Sequence, residues 1–195
     1  ATLLAVMKLY DGGKLKLTDK VSQYLPFLRS TNKKNITIKD LLLHESGLPP
    51  YIRFYLEVID PNSVHGPYAQ SWVDEWHRTR VSEHSYYCSD FKFKKGLVSE
   101  KESSVYNLHV ADKMWLNKSF KNTILQKIAR CEMDSKRYVY SDLGFILLQQ
   151  VVESIVKLPM DLYLAKEFYA PMGLQRTMYP VSYTHLRAHE TSLHL

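Results

Sequence analysis

The sequence predicts a mostly α-helical chain organised around one core helix. Leu143, Ile146, Leu147, Val151, Val152 and Ile155 recur at helical spacing and form a wide apolar stripe. Phe120, Ile124, Leu125 and Ile128 repeat that pattern in Ser119–Arg130, and strand-type alternation is sparse. Tyr140-Ser141-Asp142 stands immediately before the stripe. A tyrosine and a short polar side chain at a loop-to-helix junction can hold a phenol beside a serine nucleophile.

Taken in order, the chain opens in a helical pattern, apolar at Ala1, Leu4, Ala5, Met7 and Leu9, that ends near Gly12-Gly13. Thr18-Asp19 starts a short amphipathic turn through Val21 and Tyr24 to Leu25-Pro26. Thr37-Ile38-Lys39-Asp40 reads as a capping box with Asp40 at the third helical position. The helix it opens runs from Ile38 to His44, stops at Gly47 and cannot continue through Pro49-Pro50. Gly47 is expected to serve a backbone turn. Tyr51–Ile59 and Ser71–Arg80 are predicted as helices, with turns at Asp60-Pro61-Asn62 and Gly66-Pro67, and Ser82–Glu102 as loop or hairpin. After the core helix, Leu158-Pro159-Met160-Asp161 breaks the chain and starts a helix over Leu162–Phe168, and Pro171-Met172-Gly173-Leu174 turns out of it.

A chain of 195 residues can hold one domain with its own core. Its 45% apolar and 24% charged residues are ordinary for a globular protein, and no apolar run reaches the length that crosses a bilayer. The charge of +6 is mild. Lys33-Lys34 and Lys92–Lys95 are expected to be solvated loops rather than a nucleic-acid surface. Cys88 and Cys131 can pair or stay free and lack metal-ligand spacing, as do His65, His77, His84 and His109, which read as ordinary. Tyr51, Phe54, Tyr55, Trp72 and Trp76 are expected to pack in the core, with a substrate cleft as the alternative.

Both ends read as cut. No capping residue precedes the first helical pattern, and neither an initiator methionine nor a signal peptide is present, so a targeting segment is expected to be lost. Val181 to Thr191 resembles one reading frame of a transposon-type sequencing adapter. Residues 181–195, with His185, His189 and His194, are therefore set apart as a non-native tail, a genuine disordered tail being the alternative.

Three blocks then occur in order. They are Lys14-Leu15-Lys16-Leu17-Thr18-Asp19-Lys20-Val21 with Tyr24-Leu25-Pro26; Ile36 to Pro49, containing Leu43-His44-Glu45-Ser46-Gly47-Leu48; and Tyr140-Ser141-Asp142-Leu143-Gly144-Phe145 with Pro171-Met172-Gly173-Leu174. Together they resemble the penicillin-recognising serine hydrolases of the class C β-lactamase and D,D-peptidase type. The resemblance implies an α/β (α+β) serine β-lactamase/D,D-peptidase-like fold, an antiparallel sheet flanked by helices. Residues 1–180 would be a partial domain covering mainly its helical part, and apolar surface should be left uncovered. The family's Ser-x-x-Lys motif would fall before Ala1 and its third motif after Pro180.

By the same resemblance, the family serine forms an acyl-enzyme after a base takes its proton. Tyr140 would be that base and later the proton donor, and Asp142 would stand where many relatives have asparagine. An ionised aspartate only accepts hydrogen bonds, so it could pair with the family lysine but not donate to a substrate carbonyl. Asp142 is also expected to cap the core helix, and His44 to be a structural hydrogen-bonding residue. Ser30/Lys33, Ser89/Lys92 and Ser154/Lys157 match Ser-x-x-Lys internally, and each is expected to be fortuitous. No metal or organic cofactor is implied. The implied partner is a small-molecule or peptidoglycan-derived substrate in the periplasm or cell envelope; an upstream domain on the same parent chain stays open, a glycosidase among the candidates. The alternative reading is a catalytically inactive module that binds peptidoglycan or a partner domain.

Overall fold

Capping, turn chemistry and a buried stripe build the first of two compact units. A computed structural model describes residues 1–174 and 177. The expectations for residues 181–195 lie outside the described residues. One unit comprises residues 1–52 with the described residues from Lys121 onward, and the other Arg53–Phe120.

The first unit is helical. α1 (Thr2–Asp11) buries Ala5, Val6 and Leu9 and leaves Leu3, Leu4, Met7 and Tyr10 exposed. α2 (Val21–Tyr24) is a single turn. α3 (Ile38–Leu42) starts with the expected capping box: Asp40 N–H donates to Thr37 Oγ1 at 3.1 Å and Thr37 N–H to Asp40 Oδ2 at 2.8 Å. It stops two residues short of the predicted end, and His44 takes a left-handed conformation at φ 56°. α4 spans Phe120–Arg130, α5 Asp142–Val156 and α6 Met160–Leu164, the last running into a π-helical turn over Ala165–Tyr169. α5 is the core helix, with Leu143, Leu147, Leu148, Val151 and Val152 fully buried. α1, α2, α3 and α6 all pack against it. Gly144 faces Leu41, which lets α3 lie close to α5.

Two expectations about this unit are corrected. Lys33, predicted as part of a solvated basic loop, is fully buried. Asp142 is the first residue of α5 rather than its cap; Ser141 occupies the cap position and makes no side-chain capping bond. The Asp142 charge still sits in the first turn, where the helix dipole favours it.

The second unit is where strand replaces predicted helix. β1 (Ala69–Gln70), β3 (Ser85–Tyr87) and β2 (Thr79–Ser82) form one antiparallel sheet in the order β1-β3-β2. β4 (Val98–Ser99), β6 (Met114–Asn117) and β5 (Tyr106–Ala111) form another in the order β4-β6-β5. Tyr51–Ile59 yields one 3₁₀ turn, Phe54–Glu57. Ser71–Arg80 is not a helix, because Asp74 binds the local donors: its Oδ1 accepts Trp76 N–H at 2.9 Å and His77 N–H at 2.7 Å. A carboxylate bonding the backbone two and three residues on competes with helix formation. The aromatics expected in the core are largely outside it: Tyr51, Tyr55, Trp72 and Trp76 are exposed. Tyr55 instead lines a cavity of about 510 Å³ with Tyr68, Tyr87, Phe91, Phe93 and their aliphatic neighbours, all within this unit.

His77, read from sequence as ordinary, is the buried polar centre of this unit. Its Nδ1 lies 2.9 Å from Asp74 Oδ1 and its Nε2 2.6 Å from the Pro67 carbonyl oxygen. Two acceptors call for two N–H donors, so the network assigns the imidazolium form. The Pro67 carbonyl raises the His77 pKa, burial opposes it, and Asp74 adds to the rise. Burial pushes the Asp74 carboxyl up, but hydrogen bonds from His77, Gln70 and the His77 and Trp76 backbone outweigh it and hold it below the usual range. The raised His77 stabilises below its unfolded pKa of about 6.5 and loses that contribution as pH rises through the folded value. The lowered Asp74 stabilises above about 3.9 and loses its contribution as pH falls. Thermal melting followed against pH should therefore show this pair contributing most between those values, and His77→Gln should flatten the decline on the alkaline side. An unchanged decline in the variant would assign the pH dependence to other groups.

Among the described residues no single helix is long and apolar enough to cross a membrane.

Candidate functional site

The site lies in the first unit, where the turn after α3 holds the segment leading into α5. Gly47 (φ 79°) lets that turn run against residues 134–142. Asp134 N–H donates to the Gly47 carbonyl, Val139 N–H to His44 and Asp142 N–H to Pro50, each at 2.9 Å. Ser141 adds two bonds: its hydroxyl donates to the Pro49 carbonyl at 2.7 Å and its N–H to His44 Nδ1 at 3.2 Å. An accepting Nδ1 carries no proton, so His44 is neutral in this arrangement, with its proton on Nε2. The His44 ring lies 4.7 Å from Tyr140 and 5.3 Å from Phe145, and meets Tyr138 edge-on at 6.3 Å. The expected hydrogen-bonding role of His44 thus includes ring packing against the candidate base.

The two sequence-predicted residues, Tyr140 and Asp142, come together here. Tyr140 is 60% exposed, so its hydroxyl is open to solvent, and Asp142 is exposed beside it. A hydrogen bond to the Asp142 carboxylate, with its negative charge, raises the Tyr140 pKa. A phenol serving as base needs the opposite shift, which a nearby cation supplies. The Asp142→Asn variant should bring the Tyr140 pKa down toward the ordinary value of about 10. Titration by NMR of ¹³Cζ-labelled tyrosine, assigned with Tyr140→Phe, measures it. No movement would mean that the carboxylate does not set the phenol's affinity for its proton.

The internal Ser-x-x-Lys pairs do not form a second centre. Ser30 is exposed, while the Lys33 ammonium is bound elsewhere, to Asn32 Oδ1 at 2.7 Å and to the Cys131 carbonyl. Ser89 Oγ accepts Arg78 N–H at 3.2 Å and lies 3.0 Å from Thr79 Oγ1. Ser154 donates to the Val151 carbonyl at 2.7 Å within α5. Ser46 is buried and accepts Leu48 N–H at 3.3 Å. Cys88 and Cys131 are both free thiols. Among the described residues no cluster of three His, Cys, Asp or Glu is placed to hold a metal.

The chain is similar to several known proteins. Residues 1–86 match the β-lactamase family model. Over 185 residues the chain is 27% identical to "N-acetylmuramyl-L-alanine amidase" of Bacillus subtilis (strain 168), an alignment covering 92% of this chain and 31% of that protein. Over 188 residues it is 23% identical to "Putative D-alanyl-D-alanine carboxypeptidase" of Salmonella typhimurium (strain LT2), again covering 92% and 31%. The chain thus spans about a third of the length of the curated relatives it matches. The crystal structure of a "putative beta-lactamase" from Bacteroides dorei DSM 17855 superposes with a TM-score of 0.53 at 15% identity, over 91% of this chain and 37% of that one, which shows a shared fold. Family model and relatives agree that this chain is similar to the serine β-lactamase and penicillin-binding-protein family, and the solved structure shows a shared fold.

Proposed function

We propose that these residues belong to a serine hydrolase that works through an acyl-enzyme on a peptide, ester or amide substrate derived from peptidoglycan. The observation that carries this reading is the exposed Tyr140 phenol, tilted against the His44 ring and set two residues before a buried helix. Tyr140 takes the proton of the attacking serine and later returns it to the leaving group; Asp142 holds the phenol and the cation that must approach it. That cation offsets the carboxylate's effect on Tyr140. The nucleophile and its lysine come from chain preceding Ala1. The exposed face of α1, formed by Leu3, Leu4, Met7 and Tyr10, supports further chain packing there. The names of the amidase and carboxypeptidase relatives support a peptidoglycan-derived substrate and a cell-envelope location.

One observation favours a second reading. Asp142 raises the Tyr140 pKa, the opposite of what a base needs, as suits a module that binds peptidoglycan or a partner without catalysis. Labelling the full gene product with a fluorescent penicillin or a fluorophosphonate separates the two. Covalent label that disappears when the serine of an upstream Ser-x-x-Lys is replaced supports the hydrolase. Absence of label despite an intact motif supports the binding module. Label that survives loss of that serine refutes the proposed nucleophile.

A further inference from the structure

Lys33 is 0% exposed, although it lies in the polar run Ser30–Asn35. Its ammonium donates to Asn32 Oδ1 at 2.7 Å and to the backbone carbonyl of Cys131, 98 residues away in sequence. On the same residue, the Cys131 thiol donates to the Ile128 carbonyl at 3.2 Å; burial raises its pKa, and the neighbouring Lys33 ammonium opposes that rise. An ammonium has three N–H donors, and the Asn32 and Cys131 oxygens take two of them. No carboxylate pairs with Lys33 among the described residues. Burying a cation without a counter-charge is costly, and the acyl-transfer chemistry makes no use of it. Cys131 follows the C-terminal end of α4 and is only half-buried.

We propose that Lys33 and Cys131 form a reversible oxidative cross-link, a nitrogen–sulfur bond, when a peroxide reaches the thiol. The Cys131 sulfur attacks the peroxide O–O bond, giving a sulfenic acid and one water, with two electrons passing from sulfur to the peroxide. Lys33 Nζ, having released one proton to solvent, then attacks that sulfur. The N–S bond forms, the S–O bond breaks, and the departing hydroxide takes a second N–H proton and leaves as water. Amine, thiol and hydrogen peroxide thus become one sulfenamide and two waters. A dithiol reductant reverses the bond, returning amine and thiol. The amine is already bound to the backbone carbonyl of Cys131, so the sulfenic acid meets it before any distant group. The link ties the loop after α2 to the end of α4 across 98 residues, restricting the unfolded chain more than the folded one.

The test treats the 195-residue chain with hydrogen peroxide and follows intact mass, tryptic peptides and thermal unfolding. The expected product is about 2 Da lighter, joins the Lys33 and Cys131 peptides, resists trypsin after Lys33 and melts at a higher temperature, and dithiothreitol reverses all four changes. It should persist in Cys88→Ala and vanish in both Lys33→Met and Cys131→Ser. Oxygen added at Cys131 with the Lys33 peptide free overturns the proposal, as does loss of the lighter species in Cys88→Ala, which would identify a disulfide. The peptide map of the unsubstituted chain decides the matter even where a variant folds poorly.

Discussion

Tyr140→Phe is expected to slow acylation of the full gene product by about 10²- to 10⁴-fold, the range over which a positioned acid–base group contributes. The change removes one oxygen. The ring can keep its place 4.7 Å from His44, and because the tyrosine is 60% exposed its hydroxyl fills no core space. Thermal stability should therefore stay close to that of the parent, which separates loss of chemistry from loss of fold. The pH profile gives a second readout. Asp142 raises the Tyr140 pKa, so the phenolate gains population only on the alkaline side and the acylation rate should climb there with pH. In Asp142→Asn that limb should move to lower pH. Stopped-flow acylation with a chromogenic β-lactam or ester substrate measures both. If Tyr140→Phe acylated at the parental rate over the whole pH range, the phenol would carry no proton in the reaction.

The largest effect on stability is expected at Gly47. Its φ of 79° is strained for any residue with a side chain, and an added Cβ would sit 2.4 Å from the backbone oxygen of Asp134. A rotamer change cannot relieve a clash with backbone. The segment from Asp134 must move, which breaks the 2.9 Å bond from Asp134 N–H to the Gly47 carbonyl. Left-handed strain and the lost packing together should cost about 3 kcal/mol in Gly47→Ala, against a total stability on the order of 5–15 kcal/mol for an ordinary domain. Gly13 is the control. It has a similar φ of 65° but meets nothing within 4 Å, so Gly13→Ala should cost only about 1 kcal/mol. Urea denaturation of the pair distinguishes them. Equal midpoints would show that the Asp134 segment yields freely, and that the turn does not hold the Tyr140 loop.

Those two residues show how unevenly the molecule can be read from its sequence. The capping box at Thr37–Asp40 and the core stripe of α5 rest on spacing within one element, and both appear where predicted. The helix over Ser71–Arg80 was misread because Asp74, Trp76 and His77 make a local turn whose bonds outweigh helical spacing. The strands of the second unit run from two to six residues, too short for alternation to declare itself, although Tyr106, Leu108 and Val110 alternate with Asn107 and His109. Asp142 was legible as a charge at the start of α5 but not as its first helical residue, because Ser141 turns its hydroxyl to Pro49 instead of capping.

By itself the sequence determined the order of the three motif blocks, the core helix and the pairing of a tyrosine with an acid at its start, because each depends on neighbours a few positions apart. Only the tertiary structure decided that His44 packs against the Tyr140 ring and that Lys33 is buried against Cys131. Those contacts span about a hundred residues, and they depend on which groups the fold brings together.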